Sequence, residues 1–186
     1  MDIKPGFNIL DLGCGTGKQT IPMAQIVGND GIVVAVDIAE EALNTLMESA
    51  RGLMIDNRIT ALKHDLDEIY EHFTSKKLYE NNFHRVLGSY SIYYSKDPEN
   101  VFNIIKRILK QDGLFFFCGP SMDNNLEIRE FHYSLKGENV PEDVGAGTFM
   151  EKSGQELARK FFSKVETFTF QNPMQFDSAD ALYNYW

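Results

Sequence analysis

Two hydrophobic rhythms alternate along this chain. Short unbroken apolar runs, such as Ile32-Val33-Val34-Ala35-Val36 and Leu114-Phe115-Phe116-Phe117-Cys118, have the character of strands buried on both faces. Between them apolar residues recur every three or four positions. Ala42, Leu43, Leu46, Met47 and Ala50 share one helical face, as do Val101, Ile104, Ile105, Ile108 and Leu109. The pattern predicts strands over 8–12, 32–36, 59–63, 83–89 and 114–118, the last a central strand by its apolar character. Helices are predicted over about 18–27, 40–51 and 98–110, the last opened by Asp97-Pro98. Farther on, helices are expected near 126–134, over 151–162 and over 178–186, with 165–170 alternating as a strand near the sheet edge. Strands alternating with amphipathic helices specify an α/β domain whose sheet is mostly parallel.

Length and composition narrow the picture. At 186 residues the chain is sized for a single domain, 1–186. Periodicity weakens over 121–150, a stretch expected to be a variable insert or lid. No apolar run approaches the roughly 20 residues of a bilayer span, and no basic region followed by an apolar stretch marks the N-terminus. Cys14 and Cys118 offer neither a disulfide framework nor metal-ligand spacing. A cytoplasmic protein without metal or membrane contact is expected. The net charge is −9, and the densest basic groupings, Lys76-Lys77 and Lys106-Arg107 with Lys110, fit solvated helix faces. Nucleic acid is therefore not an expected partner; a small neutral or cationic molecule, or a protein, fits better.

Candidate chemistry begins with Ile9-Leu10-Asp11-Leu12-Gly13-Cys14-Gly15-Thr16-Gly17, which joins the first strand to the first helix. Glycines suit a place where backbone passes close to a ligand, and the following helix aims unpaired N–H groups at the loop. In an open parallel sheet, ligands bind in the crevice beyond the strand ends. Spacing decides among the cofactors that use such loops. A P-loop needs glycine, four residues, then Gly-Lys-Ser/Thr, but Leu12 and Gln19 occupy the first and last of these positions. The dinucleotide fingerprint needs glycine or alanine where Lys18 stands. What remains is Asp-x-Gly-x-Gly-x-Gly.

That motif resembles the first motif of the class I S-adenosylmethionine-dependent methyltransferases, and further motifs of that family follow in order over residues 8 to 121. Val36-Asp37-Ile38 ends the second strand with an acid; by resemblance Asp37 accepts hydrogen bonds from the cofactor ribose, although an NAD site also uses an acid there. In His64-Asp65-Leu66 the resemblance sets Asp65 at the adenine amine and Leu66 beside the ring. Ser89 and Tyr90, ending the fourth strand, correspond to residues lining the methionine part. The stretch 104–113 resembles the family's approach to its fifth strand, with Asp112-Gly113 replacing the commoner Gly-Gly. The resemblance implies a Rossmann-like three-layer sandwich, S-adenosyl-L-methionine as cofactor and a small-molecule acceptor. There are departures. His84 replaces a frequent acid, the family's N-terminal helices have no counterpart before residue 8, and no run after Phe170 reads as its seventh, antiparallel strand. The sequence reads as a trimmed chain.

The cofactor-binding candidates are Asp11, Gly13, Cys14, Gly15, Thr16, Gly17, Asp37, Ile38, Asp65, Leu66, Ser89 and Tyr90. The bend from Gly13 to Gly17 is expected to present bare amides to the cofactor's carboxylate. Asp11 is expected to orient the loop, and Cys14 to contribute its backbone. Asp37 and Asp65 could instead cap helices. Tyr93, Tyr94 and His132 are the catalytic candidates. The tyrosines either wall the acceptor or pack on the core, and His132, between Phe131 and Tyr133, is either a base or a structural or exposed histidine. His64 and His72 are expected beside functional features. A sulfonium already carries its leaving group, so the protein's task is alignment and exclusion of water. A base is needed only where the acceptor must lose a proton. No Asn/Asp-Pro-Pro-Tyr element follows the fourth strand, which argues against amino methylation of adenine or glutamine amides. Two other classes fit the motif: a cofactor-binding module or partner subunit without catalysis, and an NAD-dependent oxidoreductase, against which Lys18 speaks.

Overall fold

The chain starts in the middle of its sheet. The computed structural model describes residues 1–69, 73 and 82–185. His72 and Lys76-Lys77 lie outside the described residues. Strand β1 (Asn8–Leu12) leads through α1 (Thr20–Val27) to β2 (Ile32–Asp37), and α2 (Glu40–Gly52) leads to β3 (Ile59–Lys63). The chain then returns to the far side of β1 as β4 (Phe83–Ser89), and α3 (Pro98–Ile108) carries it to β5 (Leu109–Cys118). All pairings are parallel and the order is β3-β2-β1-β4-β5. The direction of winding reverses between β1 and β4, so a crevice opens above their carboxyl ends.

Alternation along the strands fills two separate cores, as the pleat requires. On one face Ile9, Val33, Ala35 and Leu87 pack against Met23, Ala24 and Val27 of α1 and Leu43, Leu46 and Ala50 of α2. On the other Leu10, Leu12, Val34, Val36 and Val86 meet α3, with Phe102 at the centre. Phe102 takes Phe115 and Phe117 edge-on, at centroid distances of 5.3 and 5.4 Å. Asp97 caps α3 by accepting from the Asn100 N–H at 3.1 Å, with Pro98 in the first turn. The result is the expected Rossmann-like three-layer sandwich.

Several expectations need correction. β5 is not central: it ends the described sheet, so its apolar run reflects one face on α3 and another, Leu114 and Phe116, left partly exposed. It also begins at Leu109 rather than 114. The helix stops at Ile108, and Asp112-Gly113 sit in an irregular stretch between the pairs Phe83–Leu109 and Arg85–Leu114. The expected strand at 165–170 does not form. Val165 touches the core, but Phe168 and Phe170 are exposed and the segment pairs with no strand. Alternation supplies an amphipathic ribbon, but a strand also needs a partner's hydrogen bonds. A seventh strand is likewise absent among the described residues.

The stretch 121–150 holds more helix than its pattern suggests. α4 (Leu126–Lys136) ends at Gly137, which adopts the left-handed conformation with φ +69. α5 (Ala146–Glu151) follows, and the helix expected over 151–162 starts afresh as α6 (Ser153–Phe161) because the backbone breaks at Lys152. α7 (Ala179–Tyr185) closes the described chain.

Candidate functional site

The glycine loop lies at the β1–β4 crevice and is braced from below by β2. Gly13 and Cys14 N–H both donate to the Val36 carbonyl, at 2.8 and 3.0 Å, and Gly17 N–H donates to the Cys14 carbonyl at 3.0 Å. Gly15 N–H donates to Asp37 Oδ2 at 2.7 Å. These four amides are therefore engaged inside the protein, which corrects the expectation of a bend presenting bare amides. The loop is held in shape by the end of β2 rather than left waiting for a ligand.

Its three glycines answer to different constraints. A Cβ at Gly13 would stand 2.3 Å from Ser91 Cβ, and one at Gly17 would stand 2.3 Å from Leu46 Cδ1. Gly15 differs: at φ +52 its Cβ direction meets nothing within 4 Å and points into open space. Beside that space Asp37 Oδ1 accepts from the Ala39 N–H at 2.9 Å, so the carboxylate is fixed in orientation. Its neighbour Ile38 is 65% exposed, an apolar surface next to a carboxylate. Thr16 is also exposed.

Asp11 sits beneath the loop and is only 1% exposed, so it touches no ligand directly. It accepts a 2.6 Å hydrogen bond from the Thr20 hydroxyl. Burial, and to a lesser degree the charge of Asp37, push its carboxyl up to about 6, against the pull of Thr20. Cys14 is buried and its thiol is pushed well above the usual range by burial and then by Asp11 and Asp37, so it is no nucleophile. After β3, Asp65 Oδ1 accepts from the Asp67 N–H at 3.0 Å, turning the loop, while Leu66 packs partly into the α3-side core. His64 N–H donates to the Asp37 carbonyl at 3.1 Å.

β4 brings the remaining candidates to the crevice. Ser89 Oγ lies 3.4 Å from Cys118 Sγ and 3.4 Å from Gln19 Nε2. Tyr90 adopts φ +56, a conformation that costs a non-glycine residue about 1–2 kcal/mol. Its N–H is held by the Cys118 carbonyl at 2.8 Å and its ring is 59% exposed. A single 3₁₀ turn, Ile92–Tyr94, follows. Tyr93 and Tyr94 lie with ring centroids 4.6 Å apart, and burial, then Tyr94, raise the Tyr93 phenol above its ordinary range. α5 packs on this turn, with Met150 and Tyr93 both closing on Gly119. His132 lies on α4, edge-on to Tyr133 at 5.4 Å.

Sequence reasoning overlooked Thr20, Ser91 and Asp67. Ser91 Oγ donates to the Leu12 carbonyl at 2.6 Å, tying the β4 turn to the glycine loop. Asp67 accepts from the Ser95 hydroxyl and from the N–H groups of Lys96 and Asp97. None of these residues belongs to a spaced motif, so only proximity in the fold reveals them. Among the described residues no cluster of three or more His, Cys, Asp or Glu is placed to hold a metal, and no helix is long and apolar enough to cross a membrane.

Comparison with known proteins converges on one group. A family described as a methyltransferase domain matches residues 3–166. The ubiquinone/menaquinone biosynthesis C-methyltransferase UbiE of Blochmanniella pennsylvanica is 27% identical over 184 residues, covering 90% of this chain and 70% of that protein. A probable cobalt-precorrin-6B C(15)-methyltransferase (decarboxylating) of Thermoplasma acidophilum is 34% identical over 74 residues, 37% of each chain. The match to demethylmenaquinone methyltransferase of Bacillus cereus covers 52% of that protein, so this chain spans only part of the curated relatives it resembles. Among solved structures, an arsenic(III) S-adenosylmethionine methyltransferase from Chlamydomonas reinhardtii superposes with a TM-score of 0.62 at 20% identity, covering 86% of this chain and 52% of that one. A SAM-dependent methyltransferase from Aquifex aeolicus gives 0.54 at 22% identity, covering 78% and 79%.

Proposed function

This chain belongs to the methyltransferase-domain family, and from that premise we propose that it moves a methyl group from S-adenosylmethionine to a small-molecule acceptor. The observation that carries the reading is the open face of Gly15 beside the oriented Asp37 carboxylate and exposed Ile38, at the point where the sheet reverses direction. This set fits the cofactor. Both Asp37 oxygens keep lone pairs for a ribose diol after accepting from Gly15 and Ala39, Ile38 offers an apolar face to the adenine, and Asp65 is the acid for its amine. Thr16 and the loop backbone bound the amino-acid end, with Ser89 and Tyr90 at the methionine chain. Asp11, Cys14, Gly13 and Gly17 shape the loop from within.

The bound cofactor supplies an activated methyl and its leaving group; the residues supply position and dryness. In this reading Tyr90, Tyr93 and Tyr94 wall the acceptor, and the insert at 121–150 covers it, consistent with the packing of α5 on the tyrosine turn. Tyr93 acts as wall rather than base, since a phenol whose ionisation is suppressed takes up no proton near neutrality, and Tyr94 lies against its ring. His132 stays a candidate base for acceptors that must shed a proton. Residues 1–186 work as one unit. The net charge of −9 argues against a nucleic-acid acceptor, and the two free cysteines suit a reducing cytoplasm.

Thermal unfolding with S-adenosylhomocysteine and with NAD tests the cofactor. At about 100 times its Kd, the sulfur ligand should stabilise the fold by about 2.7 kcal/mol. Selective stabilisation by NAD would overturn the assignment. Labelled methyl transfer to a panel of quinols, phenols and amines then separates an enzyme from a silent binding module.

A further inference from the structure

The turn between β4 and α3 is fastened at both ends. At its start, Ser91 Oγ donates to the carbonyl of Leu12, the residue before Gly13. At its end, three donors converge on Asp67 in the loop after β3. They are the Ser95 hydroxyl, the Lys96 N–H at 2.9 Å and the Asp97 N–H at 3.3 Å. Between these fastenings the turn closes on itself, with Tyr94 N–H donating to the Ser91 carbonyl at 3.0 Å and Ser95 N–H to the Ile92 carbonyl at 3.1 Å. Ile92 is buried against Gly88, where a Cβ would come within 2.5 Å of it. The segment so held carries Tyr93 and Tyr94.

We infer that Asp67 is a positioning residue, whose carboxylate fixes the tyrosine turn and so sets the acceptor wall without contacting the cofactor. The inference rests on the proposed methyl transfer for the meaning of the wall, though not for the clamp itself. Three donors on one side chain are what an ionised carboxylate accommodates, since it accepts at four lone-pair positions and donates nothing. Burial raises the Asp67 carboxyl, but the bonds from Ser95, Lys96 and Asp97 outweigh it and hold the group below the usual carboxylate range. An amide would face at least one of those donors with an N–H of its own. Asp97 also caps α3, so the same clamp fixes where that helix starts. Any slip of the turn would carry Tyr93 out of the space beside Gly119, where a Cβ would lie 2.9 Å from both Tyr93 and Met150.

The experiment compares the whole chain with Asp67→Asn, Ser95→Ala and the double variant. It measures hydrogen exchange over residues 92–97, the tyrosine bands of the near-ultraviolet circular dichroism, and S-adenosylhomocysteine affinity by calorimetry. Each single substitution should speed exchange over 92–97 by about tenfold or more and weaken the tyrosine bands, and the double should do little more than the stronger single. Kd for S-adenosylhomocysteine should stay within about threefold throughout. Unchanged exchange and tyrosine bands in the single variants would overturn the inference. So would a Kd that rises about tenfold in Asp67→Asn but not in Ser95→Ala, the mark of direct cofactor contact. If Asp67→Asn does not fold, Ser95→Ala decides by the same exchange readout. A wild-type chain that takes up no S-adenosylhomocysteine overturns the methyl-transfer reading instead, and the exchange measurements still judge the clamp.

Discussion

Gly13 and Gly15 stand two residues apart in one loop, yet they are glycine for opposite reasons. Gly13 has a neighbour where its Cβ would go, Ser91 at 2.3 Å, and a φ of +72. Gly13→Ala should therefore cost stability, roughly 2–4 kcal/mol by urea unfolding, through both crowding and backbone strain. Gly15 has φ +52 but empty space beyond it. Gly15→Leu should keep the fold at a cost of about 1–2 kcal/mol, and lower S-adenosylhomocysteine affinity by about tenfold or more, read by calorimetry. A loss of folding in Gly15→Leu, or unchanged affinity, would contradict this division. The alternating glycines and the acid ending β2 were legible in the sequence because motif spacing within a strand–loop–helix unit is a local property. Thr20, Ser91 and Asp67 were not. Their partners lie 9, 79 and 28 residues away, and short polar side chains carry no periodicity that announces such contacts.

Among the elements, α3 shows how far a helical stripe can be read from the sequence: its start and buried face form as expected, and only its last turn gives way to β5. Its stripe of Val101, Phe102, Ile104, Ile105 and Ile108 is buried, and the Asp97-Pro98 start forms as the side chains dictate. Phe102 is fully buried and meets Phe115, Phe117, Phe161 and Phe162. Phe102→Ala should destabilise the fold by about 3–5 kcal/mol, measured by chemical unfolding, because both the transfer of a large ring and the resulting cavity count against it. A loss under about 1 kcal/mol would mean that the aromatic cluster collapses to fill the gap. β5 and the 165–170 segment show where pattern misleads. The apolar run of β5 predicts a central strand, yet Phe115 and Phe117 serve α3 while Leu114 and Phe116 remain partly exposed at the end of the described sheet. Residues 165–170 alternate as a strand does, but periodicity of two records which side chains could share a face, not whether a neighbour supplies hydrogen bonds.

For the molecule as a whole, folding stability should record the buried acid at its centre. The carboxyl of Asp11 rises from 3.8 to about 6 in the folded protein, so the native state binds its proton more tightly than the unfolded chain does. The penalty is fully present above about pH 6 and is relieved as pH falls from there toward 3.8. Relative to Asp11→Asn, the wild-type chain should gain about 3 kcal/mol between about pH 7.5 and pH 4, seen in paired urea titrations. A constant difference across that range would show that Asp11 does not titrate with folding. Local patterns in the sequence were enough to specify the α/β class, the order of the first five strands and their helices along the chain, and the place of the glycine loop between β1 and α1. Each of these follows from residues near one another in the chain, through propensity, periodicity and spacing. Long-range packing, by contrast, placed β5 at the end of the described sheet and left 165–170 without a pairing strand among the described residues. The fold likewise ties the amides of Gly13, Cys14 and Gly15 to the end of β2, and sets Asp67 and Ser91 to hold the tyrosine turn. These are outcomes of long-range pairing, where several arrangements satisfy the local pattern and the balance of hydrogen bonds and burial selects one.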